Sequence, residues 1–364
     1  MGEMETLRPM KTALVIPSIQ RLNNLVAFKP ELKKYGVRVI VVDEGDNREE
    51  NSKILDGLDF SFFGPGERVD ILGNDIGVIP QRCHAETSFG FFQAYREGAE
   101  IVVELDDDCW GTDLLSKHVA NLGPTRGMYV EQTKSGWYNP LWSMSNDRLY
   151  PRGYPYASET RVFGGVSYPC KQPTVLNMGL WTGQPDLDAT TILRLGGLRG
   201  LAGQNSESQL IDQKKIIGKN IFFPICSMNT SFRAEIIPAF YQMYMNYEGL
   251  DRYCDIWSGL FIKKICDHLG KNISLGQPVV EHRKTERSTF KDLRAEHEGM
   301  AINETLWKVV RDAEIEGKNY RDAYDSLTDE IIDAMRFHVF PDKLHYKMML
   351  KQIWGMRRWL ELFE

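Results

Sequence analysis

The sequence has 364 residues, of which 42% are hydrophobic and 26% are charged, and its formal net charge is −6. A chain of this length and composition can bury a sizeable core and forms one large globular domain or two ordinary ones. The mildly acidic balance argues against nucleic acid as the main partner, because nucleic-acid-binding surfaces are basic. A phosphorylated ligand remains compatible with it, provided that a metal ion or local arginines neutralise the phosphate.

The cysteines and the apolar segments indicate the cellular setting. No two of the six cysteines form a CxxC pair, which argues against a zinc ribbon. A chain this long does not need disulfides, so we expect reduced thiols in a cytoplasmic protein. The N-terminus lacks the shape of a signal peptide, since its apolar run breaks at Pro17. No apolar segment approaches the roughly 18 residues of a membrane-spanning helix, so we expect no such helix.

Strands and helices alternate in the first third of the chain. The pattern predicts, in order, a strand over 11–17, a helix near 21–34, strands over 37–42 and 59–63, a helix over 80–97 and a strand over 101–105. This alternation predicts an α/β protein with a mostly parallel central sheet. Polar residues follow three of the strands, at Ser18, at Asp43 to Asp46 and at Asp106 to Asp108. Parallel sheets bind ligands beyond the carboxyl ends of their strands, so these residues should converge on one edge.

The remainder of the chain is less regular. Residues 123–220 are rich in glycine, proline and aromatic residues, and we expect long loops over the sheet edge there. Beyond them the sequence predicts a strand within 222–232, helices near 234–246 and 254–269, a short strand ending at His282, and charged helices after about residue 290.

The acidic run in VVELDDDC is the first candidate site. Three adjacent carboxylates repel one another unless a cation lies among them, and a hard divalent ion prefers oxygen ligands and can bridge to a diphosphate. A solvated acidic turn or a helix cap is the alternative. His282, at the end of its strand, could complete an octahedral metal shell, or it could be structural.

Three further candidates have equally ordinary alternatives. Asp43 and Asp46 could bind a base or a ribose hydroxyl, although DEGDN is also typical of a turn. Arg152 could bind phosphate from its Gly- and Pro-containing loop, or it could be a surface arginine. Asp255 could face a sugar or simply cap a helix. The basic, aromatic and amphipathic tail 343–363 could lie on a membrane surface, pack on the core or form an oligomer contact.

Several of these segments together resemble the reversibly glycosylated polypeptide / UDP-arabinopyranose mutase family, whose members look like GT-A glycosyltransferases. The matching segments follow the family order from about residue 12 to residue 290: VIPSI (15–19), LDDDC (105–109), RGYP (152–155), GLW (179–181), FPICSMNTSF (223–232), RYCDIWSG (252–259), KKICDHLG (263–270) and the histidine of VVEHRK (279–284). RGYP, the FPxCxMN pattern and ICDHLG are the more specific among them. The resemblance implies a GT-A-like catalytic domain over 11–290, followed by a C-terminal helical extension over 291–364.

The resemblance also implies a UDP-sugar substrate, Mn2+ or Mg2+, and a homo-oligomer. Arg152 matches the arginine that the family glycosylates reversibly, and Asp255 matches an acid that faces the sugar. The residues assigned to the nucleotide are Asp43, Asp46, Arg82, Asp106 and Asp107. Those assigned to the metal are Asp106, Asp108 and His282.

Two positions depart from the family pattern. Cys254 stands where the family has the first acid of an Asp-Asp pair, and Glu159 stands where it has a second arginine, with Arg161 the nearest arginine. The resemblance as a whole implies a pyranose–furanose mutase that acts on a UDP-sugar through a transient glycosyl-arginine. A metal-dependent glycosyltransferase, self-glycosylating or not, and a non-catalytic nucleotide-binding scaffold in polysaccharide synthesis are the alternatives.

Overall fold

The computed structural model of the chain describes residues 11–123, 128–144, 148–170, 173–197, 214–284, 288–337 and 339–364. Eleven strands in these ranges form one sheet with helices packed against it. The strands are β1 (Thr12–Ser18), β2 (Arg38–Asp43), β3 (Asp59–Phe63), β4 (Ile101–Leu105), β5 (Cys109–Trp110), β6 (Met128–Thr133), β7 (Gly165–Cys170), β8 (Thr174–Gly183), β9 (Lys214–Ile217), β10 (Asn229–Arg233) and β11 (Asn272–His282).

Ten α-helices lie in the same ranges. They are α1 (Asn24–Lys34), α2 (Arg48–Leu55), α3 (Pro65–Leu72), α4 (Glu86–Arg96), α5 (Leu114–Asn121), α6 (Ala189–Arg194), α7 (Cys254–His268), α8 (Thr289–Asp312), α9 (Tyr320–Arg336) and α10 (Lys343–Glu361). The order of strands across the sheet is β3-β2-β1-β4-β10-β8-β11-β9-β6-β7, and β5 pairs with β11.

The N-terminal half has the predicted parallel arrangement. β2 and β4 flank β1, β3 lies beyond β2, and all four strands run in the same direction. Helix α4 packs on β1 and β2. Both faces of β1 and β4 are covered, which explains why these strands are nearly continuous apolar runs. The predicted strands and helices of this half are confirmed, with ends shifted by a few residues.

Beyond β4 the sheet is mixed, yet the important strand ends still meet at one edge. β10 is antiparallel to both β4 and β8, so β8 runs in the same direction as β4. β11 is parallel to β8, and His282 lies opposite Gly183 in their register. The carboxyl ends of β1, β2, β4, β8 and β11 therefore share an edge. The predicted convergence of Ser18, Asp43, the acidic run and His282 on that edge is confirmed.

The expectation of long loops over 123–220 is correct only for 134–164, which joins β6 to β7 with no strand or α-helix in its described residues and brings Arg152 to the cavity described below. Residues 198–213 lie outside the described ranges. The rest of 123–220 contributes β6, β7, β8, β9 and α6 to the structure.

In β8 a glycine is required for a reason other than loop formation. A Cβ on Gly179 would lie 2.2 Å from Asn229 Nδ2 and 2.5 Å from the carbonyl oxygen of Pro278. Glycine there permits close approach of neighbouring strands in the sheet interior.

Two other predicted elements are shorter than expected. The strand within 222–232 begins only at Asn229, and the helix near 234–246 is a 3-10 helix that ends at Ala239. Pro238 lies inside that short helix, and a proline lacks the N–H that a continuing helix needs. The predicted helix over 254–269 is confirmed as α7.

The C-terminal helices pack on the same hydrophobic core as the sheet. The buried side chains of α10 include Met348, Ile353 and Trp359. The Trp359 ring stacks on Tyr241 with centroids 5.2 Å apart, and its indole N–H donates to the carbonyl of Ile237 at 3.2 Å. Core packing of the tail is thus confirmed, whereas peripheral membrane contact and self-association stay predictions. The domain boundary expected at residue 290 falls at the start of α8 and is likewise still a prediction.

Two further expectations concern the thiols and the membrane. None of the six cysteines, all of which lie in the described ranges, forms a disulfide bond. Among the helices of the described ranges, none has the length and apolar character that crossing a bilayer requires.

Trp359→Ala should lower the free energy of unfolding by about 4 kcal/mol, because it removes a fully buried aromatic side chain together with its hydrogen bond. Trp354→Ala is the matched control on the same helix. Its side chain is 50% exposed, so the loss should stay within about 1 kcal/mol. Urea unfolding followed by circular dichroism measures both values. Equal losses for the two variants would contradict the docking of α10 as a core element.

Candidate functional site

A cavity of about 490 Å³ opens at the carboxyl edge of the sheet. Six residues proposed from the sequence line it: Asp106, Asp107, Asp108, Arg152, Asp255 and His282. They come from the end of β4, the 152 loop, the first turn of α7 and the end of β11. The topology brings together side chains that are up to 176 positions apart in the sequence (282 − 106).

The other three proposed residues lie near this edge but are not among the residues that line the cavity. Asp43 is buried, and its carboxylate accepts a hydrogen bond from the Gly45 N–H at 3.2 Å. Asp46 is exposed. The side chain of Arg82 is also exposed, while its backbone N–H donates to Glu44 Oε1 at 3.1 Å. Their assignment to the nucleotide stays a prediction.

The acidic run is not a uniform cluster. Asp107 points to the loop after β1, where its carboxylate accepts hydrogen bonds from the N–H of Ile19 at 3.1 Å and from the Gln20 side chain at 2.8 Å. Burial, with the neighbouring Asp108 and Asp107 carboxylates next in weight, holds the pKa of Asp106 well above its ordinary value. A cation beside Asp106 would relieve this excess of negative charge.

Asp108 has a different partner. Its Oδ2 lies 3.3 Å from His282 Nε2, and the other ring nitrogen, Nδ1, lies 2.6 Å from the carbonyl oxygen of Gln184. That backbone contact orients the imidazole so that Nε2 points into the cavity. Burial alone would raise the pKa of Asp108, but the hydrogen bond and charge of His282 outweigh it, so the pKa is lowered. Carboxylate oxygens and an oriented imidazole nitrogen on one wall form a donor set that suits a divalent cation.

Arg152 lies between two carboxylates. Its Nε and Nη2 donate to Asp186 at 3.1 and 2.8 Å, and its Nη1 and Nη2 donate to Asp255 at 3.0 and 3.1 Å. Nη1 also donates to the carbonyl of Arg252. A guanidinium has five N–H donors, so this arrangement uses all of them.

The two carboxylates decide the charge state of Arg152. Burial alone would lower the pKa of the guanidinium, but Asp186 and Asp255 outweigh it and hold the pKa well above its ordinary value. For Asp186, burial acts to raise the pKa, yet the charge of Arg152 brings it down to about 2. Arg152 and Asp186 are therefore both ionised at neutral pH.

Local backbone geometry explains the RGYP pattern around Arg152. Gly153 has a φ of +83°, and a Cβ on it would lie 2.3 Å from Ile256 Cγ2 on α7. Any other residue at position 153 would push this loop away from α7, and with it Arg152 away from Asp255. The Asn303 side chain on α8 donates to the Gly153 carbonyl at 3.1 Å, which fixes the loop from the other side.

A second group of potential metal ligands lies beside Arg152. One ligand atom each from Asp186, Cys226 and Asp255 lies within 4.8 Å of the others, so by distance alone these residues could hold a metal ion. Arg152 pairs with both carboxylates, and Lys284 and Arg252 add positive charge near Asp186. Burial raises the pKa of the Cys226 thiol well above its ordinary value, so this sulfur is protonated when no metal ion is bound.

Sequence reasoning missed several residues that line the cavity. Asp186 follows the end of β8 in GQPDLDA, and its place after a strand was the one available signal. Arg252 precedes α7 with a φ of +64°, and its Nε donates to Glu296 at 2.7 Å. Glu86 and Lys284 line the cavity as well, and no local sequence pattern distinguishes them from surface charges.

The structure also locates the two departures from the family pattern. Cys254 lines the cavity, and burial raises its thiol pKa well above the ordinary value, so it is a neutral group there. Glu159 is largely exposed and lies 3.6 Å from Lys308. The guanidinium of Arg161 lies 4.4 Å from the Tyr150 ring centroid, and Arg161 is not among the residues that line the cavity.

The α/β sheet, the C-terminal helices and the acidic run at the strand ends define a protein with a GT-A-like fold. The chain belongs to the reversibly glycosylated polypeptide family, whose sequence pattern it matches over residues 9–363. The match therefore extends through the C-terminal helices, where the sequence alone offered no recognisable motif.

Several plant proteins are similar to this chain over most of its length. UDP-arabinopyranose mutase 1 of Arabidopsis thaliana is 28% identical over 313 residues, which cover 83% of this chain and 79% of that protein. UDP-arabinopyranose mutase 1 of Oryza sativa subsp. japonica is 27% identical over 335 residues, covering 88% and 84%. Probable UDP-arabinopyranose mutase 1 of Pisum sativum is 28% identical over 304 residues, covering 80% and 75%.

Asp186→Asn should lower the free energy of unfolding by about 3 kcal/mol at pH 7, because it removes one carboxylate from a buried arginine. The pKa of Asp186 is depressed to about 2, so its contribution is complete above the unfolded value of about 3.9 and is lost as the pH falls through 2. The deficit of the variant should therefore shrink below about pH 4. Urea unfolding at several pH values from 7 to 2.5 measures it.

Asp333→Asn is the control, since its ion pair with Arg336 is exposed and should contribute less than about 0.5 kcal/mol. An Asp186→Asn deficit that is the same at pH 7 and pH 2.5 would contradict the assignment of Asp186 as the ionised partner of Arg152.

Proposed function

We propose that the chain is a nucleotide-sugar mutase that interconverts the pyranose and furanose forms of a UDP-sugar, with Arg152 as the transient carrier of the sugar. The names of the plant relatives support this activity. The observation that carries the proposal is the position of Arg152, which lies between Asp186 and Asp255 in the same cavity as the acidic run. A sugar bound there would have a nitrogen nucleophile and a carboxylate base side by side.

The reaction requires UDP to leave before the ring can open, because an anomeric carbon bonded to phosphate cannot form an open chain. Mn2+ or Mg2+ held by Asp106, Asp108 and His282 would neutralise charge on the diphosphate leaving group. The donor set fits such an ion: the carboxylates of Asp106 and Asp108 carry oxygen ligands, and His282 presents an oriented nitrogen. Lys284, which lines the cavity, adds a further positive group on this side.

The covalent step balances within the residues of the chain. The C1–oxygen bond breaks with its electron pair going to UDP, an Arg152 nitrogen bonds to C1, and the proton of that nitrogen passes to Asp255. The electron pair of the nitrogen then expels the ring oxygen, which takes up the proton held by Asp255. The 4-hydroxyl closes on C1 to give the furanose and passes its proton back to Asp255. UDP finally displaces Arg152, which recovers its proton from Asp255.

The hydrogen bonds of Arg152 set a condition on this mechanism. All five N–H groups are engaged, and the raised pKa opposes loss of a proton. Sugar binding must therefore break at least one of these contacts before a nitrogen can attack. Asp255 bonds both terminal nitrogens, so a shift of its carboxylate would free one nitrogen and leave the base within reach of the proton.

The engagement of all five N–H groups of Arg152 also favours one alternative function. A guanidinium whose donors are all engaged can serve as a fixed positive charge, while the sugar passes directly from UDP to an acceptor hydroxyl. Asp255 would then act as general base toward that acceptor. The chain would be a metal-dependent glycosyltransferase, and Arg152 would carry no covalent sugar.

Incubation with UDP-arabinopyranose and Mn2+, without any acceptor, separates the two functions. The mutase should produce a nucleotide furanose that chromatography resolves, together with a pentose adduct that tandem mass spectrometry of peptides locates on Arg152. Arg152→Ala should lose both products. Arg161→Ala is the control, because Arg161 is not among the cavity-lining residues and should retain both.

A pentose adduct at another residue, or furanose formation by the Arg152→Ala protein, would refute the carrier role of Arg152. A protein that labels itself stably but forms no furanose would favour the transferase. A protein that binds UDP and does neither would favour a scaffold.

Asp108→Asn should abolish the part of the UDP affinity that depends on Mn2+, because an amide replaces a charged ligand and the partner of His282. Calorimetric titration of UDP with and without Mn2+ measures that part. Asp113→Asn is the control: Asp113 is exposed and has a φ of +53°, a conformation that asparagine also adopts. Undiminished metal-dependent binding by the Asp108→Asn protein would contradict the metal assignment.

A further inference from the structure

One wall of the cavity has a buried charge group behind it that the proposed mechanism does not use. Arg68 on α3 is fully buried and pairs with Glu44, which follows β2. Its Nη1 also lies 3.5 Å from Oε2 of Glu86, the first residue of α4. Glu86 is 7% exposed, and it lines the cavity.

Two carboxylates thus face one guanidinium in a region with almost no access to water. If both were ionised, one buried negative charge would have no partner, and such a charge is costly enough that the group takes up a proton instead. One of the two carboxylates should therefore be neutral.

The contacts indicate that the neutral group is Glu86. Glu44 has the closer contact with Arg68 and also accepts a hydrogen bond from the Arg82 N–H at 3.1 Å. Glu86 Oε2 is buried and accepts no hydrogen bond in the structure. Burial, followed by a side-chain hydrogen bond to Glu44 and by the charge of Glu44, raises the pKa of Glu86 to about 9. The protonated Glu86 is the donor of that bond, because the same contact lowers the pKa of Glu44. Burial also acts to raise the pKa of Glu44, but Arg68 and the Arg82 N–H outweigh it and lower that pKa.

The other neighbours do not change this assignment. Burial raises the pKa of the Cys83 thiol, which precedes α4, to about 12, so it is uncharged at neutral pH. The N-terminus of α4 favours a negative charge on Glu86, but this effect is modest compared with the burial of an unpaired carboxylate. After burial, Glu44 and Arg68 are the groups that act most strongly on Glu86. His84, two residues before Glu86, also lines the cavity.

Several polar residues line the cavity together with Glu86, among them His84, Thr87 and Gln242. Gln242 is held in place, since its side chain donates to Glu104 at 2.8 Å and its backbone N–H donates to Ser88 Oγ at 2.8 Å. Polar groups of this kind suit an uncharged part of a ligand.

We propose that Glu86 carries a proton at neutral pH, that Glu44 accepts its hydrogen bond before the ligand binds, and that this bond then passes to an uncharged oxygen acceptor of the bound ligand. The acceptor is either a sugar hydroxyl or a carbonyl of the nucleotide base, and this part of the inference rests on the proposed function. A neutral acid can donate to such an oxygen without repelling the diphosphate. An ionised carboxylate could not donate, and it would add to the negative charge of a cavity that already contains five aspartates: Asp106, Asp107, Asp108, Asp186 and Asp255.

The first test compares Glu86→Ala with Glu86→Gln by calorimetric binding of UDP and of UDP-arabinopyranose at pH 7. The alanine variant should bind roughly tenfold more weakly, because it loses one hydrogen bond. Glutamine is a neutral donor of similar shape and should restore most of that loss. Weakening for UDP-arabinopyranose alone assigns the acceptor to the sugar, and weakening for both ligands assigns it to the base. If glutamine restores nothing, or if the alanine variant binds normally, the donor role is overturned.

The second test needs no ligand, so it separates failure of this inference from failure of the proposed function. An acid with a pKa of about 9 when folded and about 4.3 when unfolded takes up a proton on folding, so it costs stability increasingly as the pH rises from about 5 to 9. Glu86→Gln removes this cost. The midpoint of thermal unfolding of this variant should therefore rise relative to the wild type between pH 6 and pH 9.

Glu44→Gln is the matched variant on the other side of Arg68. It removes the ionised partner of a buried arginine, so its midpoint should fall by roughly 5 °C or more at every pH in this range. A Glu86→Gln protein that is destabilised as much as Glu44→Gln would overturn the neutral state of Glu86. If the chain binds neither UDP nor UDP-arabinopyranose, the proposed function and the donor role both fall, while the titration still decides whether Glu86 holds a proton.

Discussion

The buried ion pairs of Arg152 with Asp186 and Asp255 are the interaction on which the cavity depends. The three side chains come from separate segments, and all three are buried. Charges in such a place are tolerated only when they are paired and hydrogen-bonded, and this arrangement satisfies every N–H of the guanidinium. Removing Arg152 would leave two buried carboxylates without their cation, and removing either carboxylate would leave N–H groups of the guanidinium without acceptors. The loop of Arg152, the segment after β8 and the start of α7 therefore hold one another in position.

The need to neutralise buried carboxylates also explains why the carboxylates of the cavity lining have different neighbours. Asp186 and Asp255 obtain positive charge from Arg152. Asp106 has no such ion pair among the described residues, and burial together with the neighbouring carboxylates raises its pKa. In the proposals made above, a divalent ion would balance the charge of the acidic run, and a proton would neutralise Glu86.

The two departures from the family pattern, Cys254 and Glu159, leave the ion pairs of Arg152 intact. Cys254 puts a neutral thiol where relatives have an acid, yet Arg152 still has two carboxylate partners because Asp186 supplies one of them. Glu159 pairs with Lys308 and is largely exposed, so its charge does not enter the balance around Arg152.

The sequence by itself determined the local elements and the edge on which the site lies. Apolar runs that end in polar residues predicted β1, β2 and β4, and the parallel direction of these strands brought Ser18 and the acidic run together. The family followed from short motifs whose residues are contiguous. The strands over 123–220 were missed because glycines such as Gly179, which allow close approach within the sheet, have the same local pattern as glycines in loops.

Only the tertiary structure decided which charged groups are partners. Asp186 is 34 positions from Arg152 in the sequence and Asp255 is 103 positions away. The pairing of Arg68 with Glu44 and Glu86 likewise joins α3, the loop after β2 and the start of α4. Such pairs depend on the packing of helices against the sheet and on burial, which set distance and dielectric together. A linear pattern contains neither quantity, so it could point to Arg152 and Asp255 as candidates but could not reveal the contacts that determine their charge.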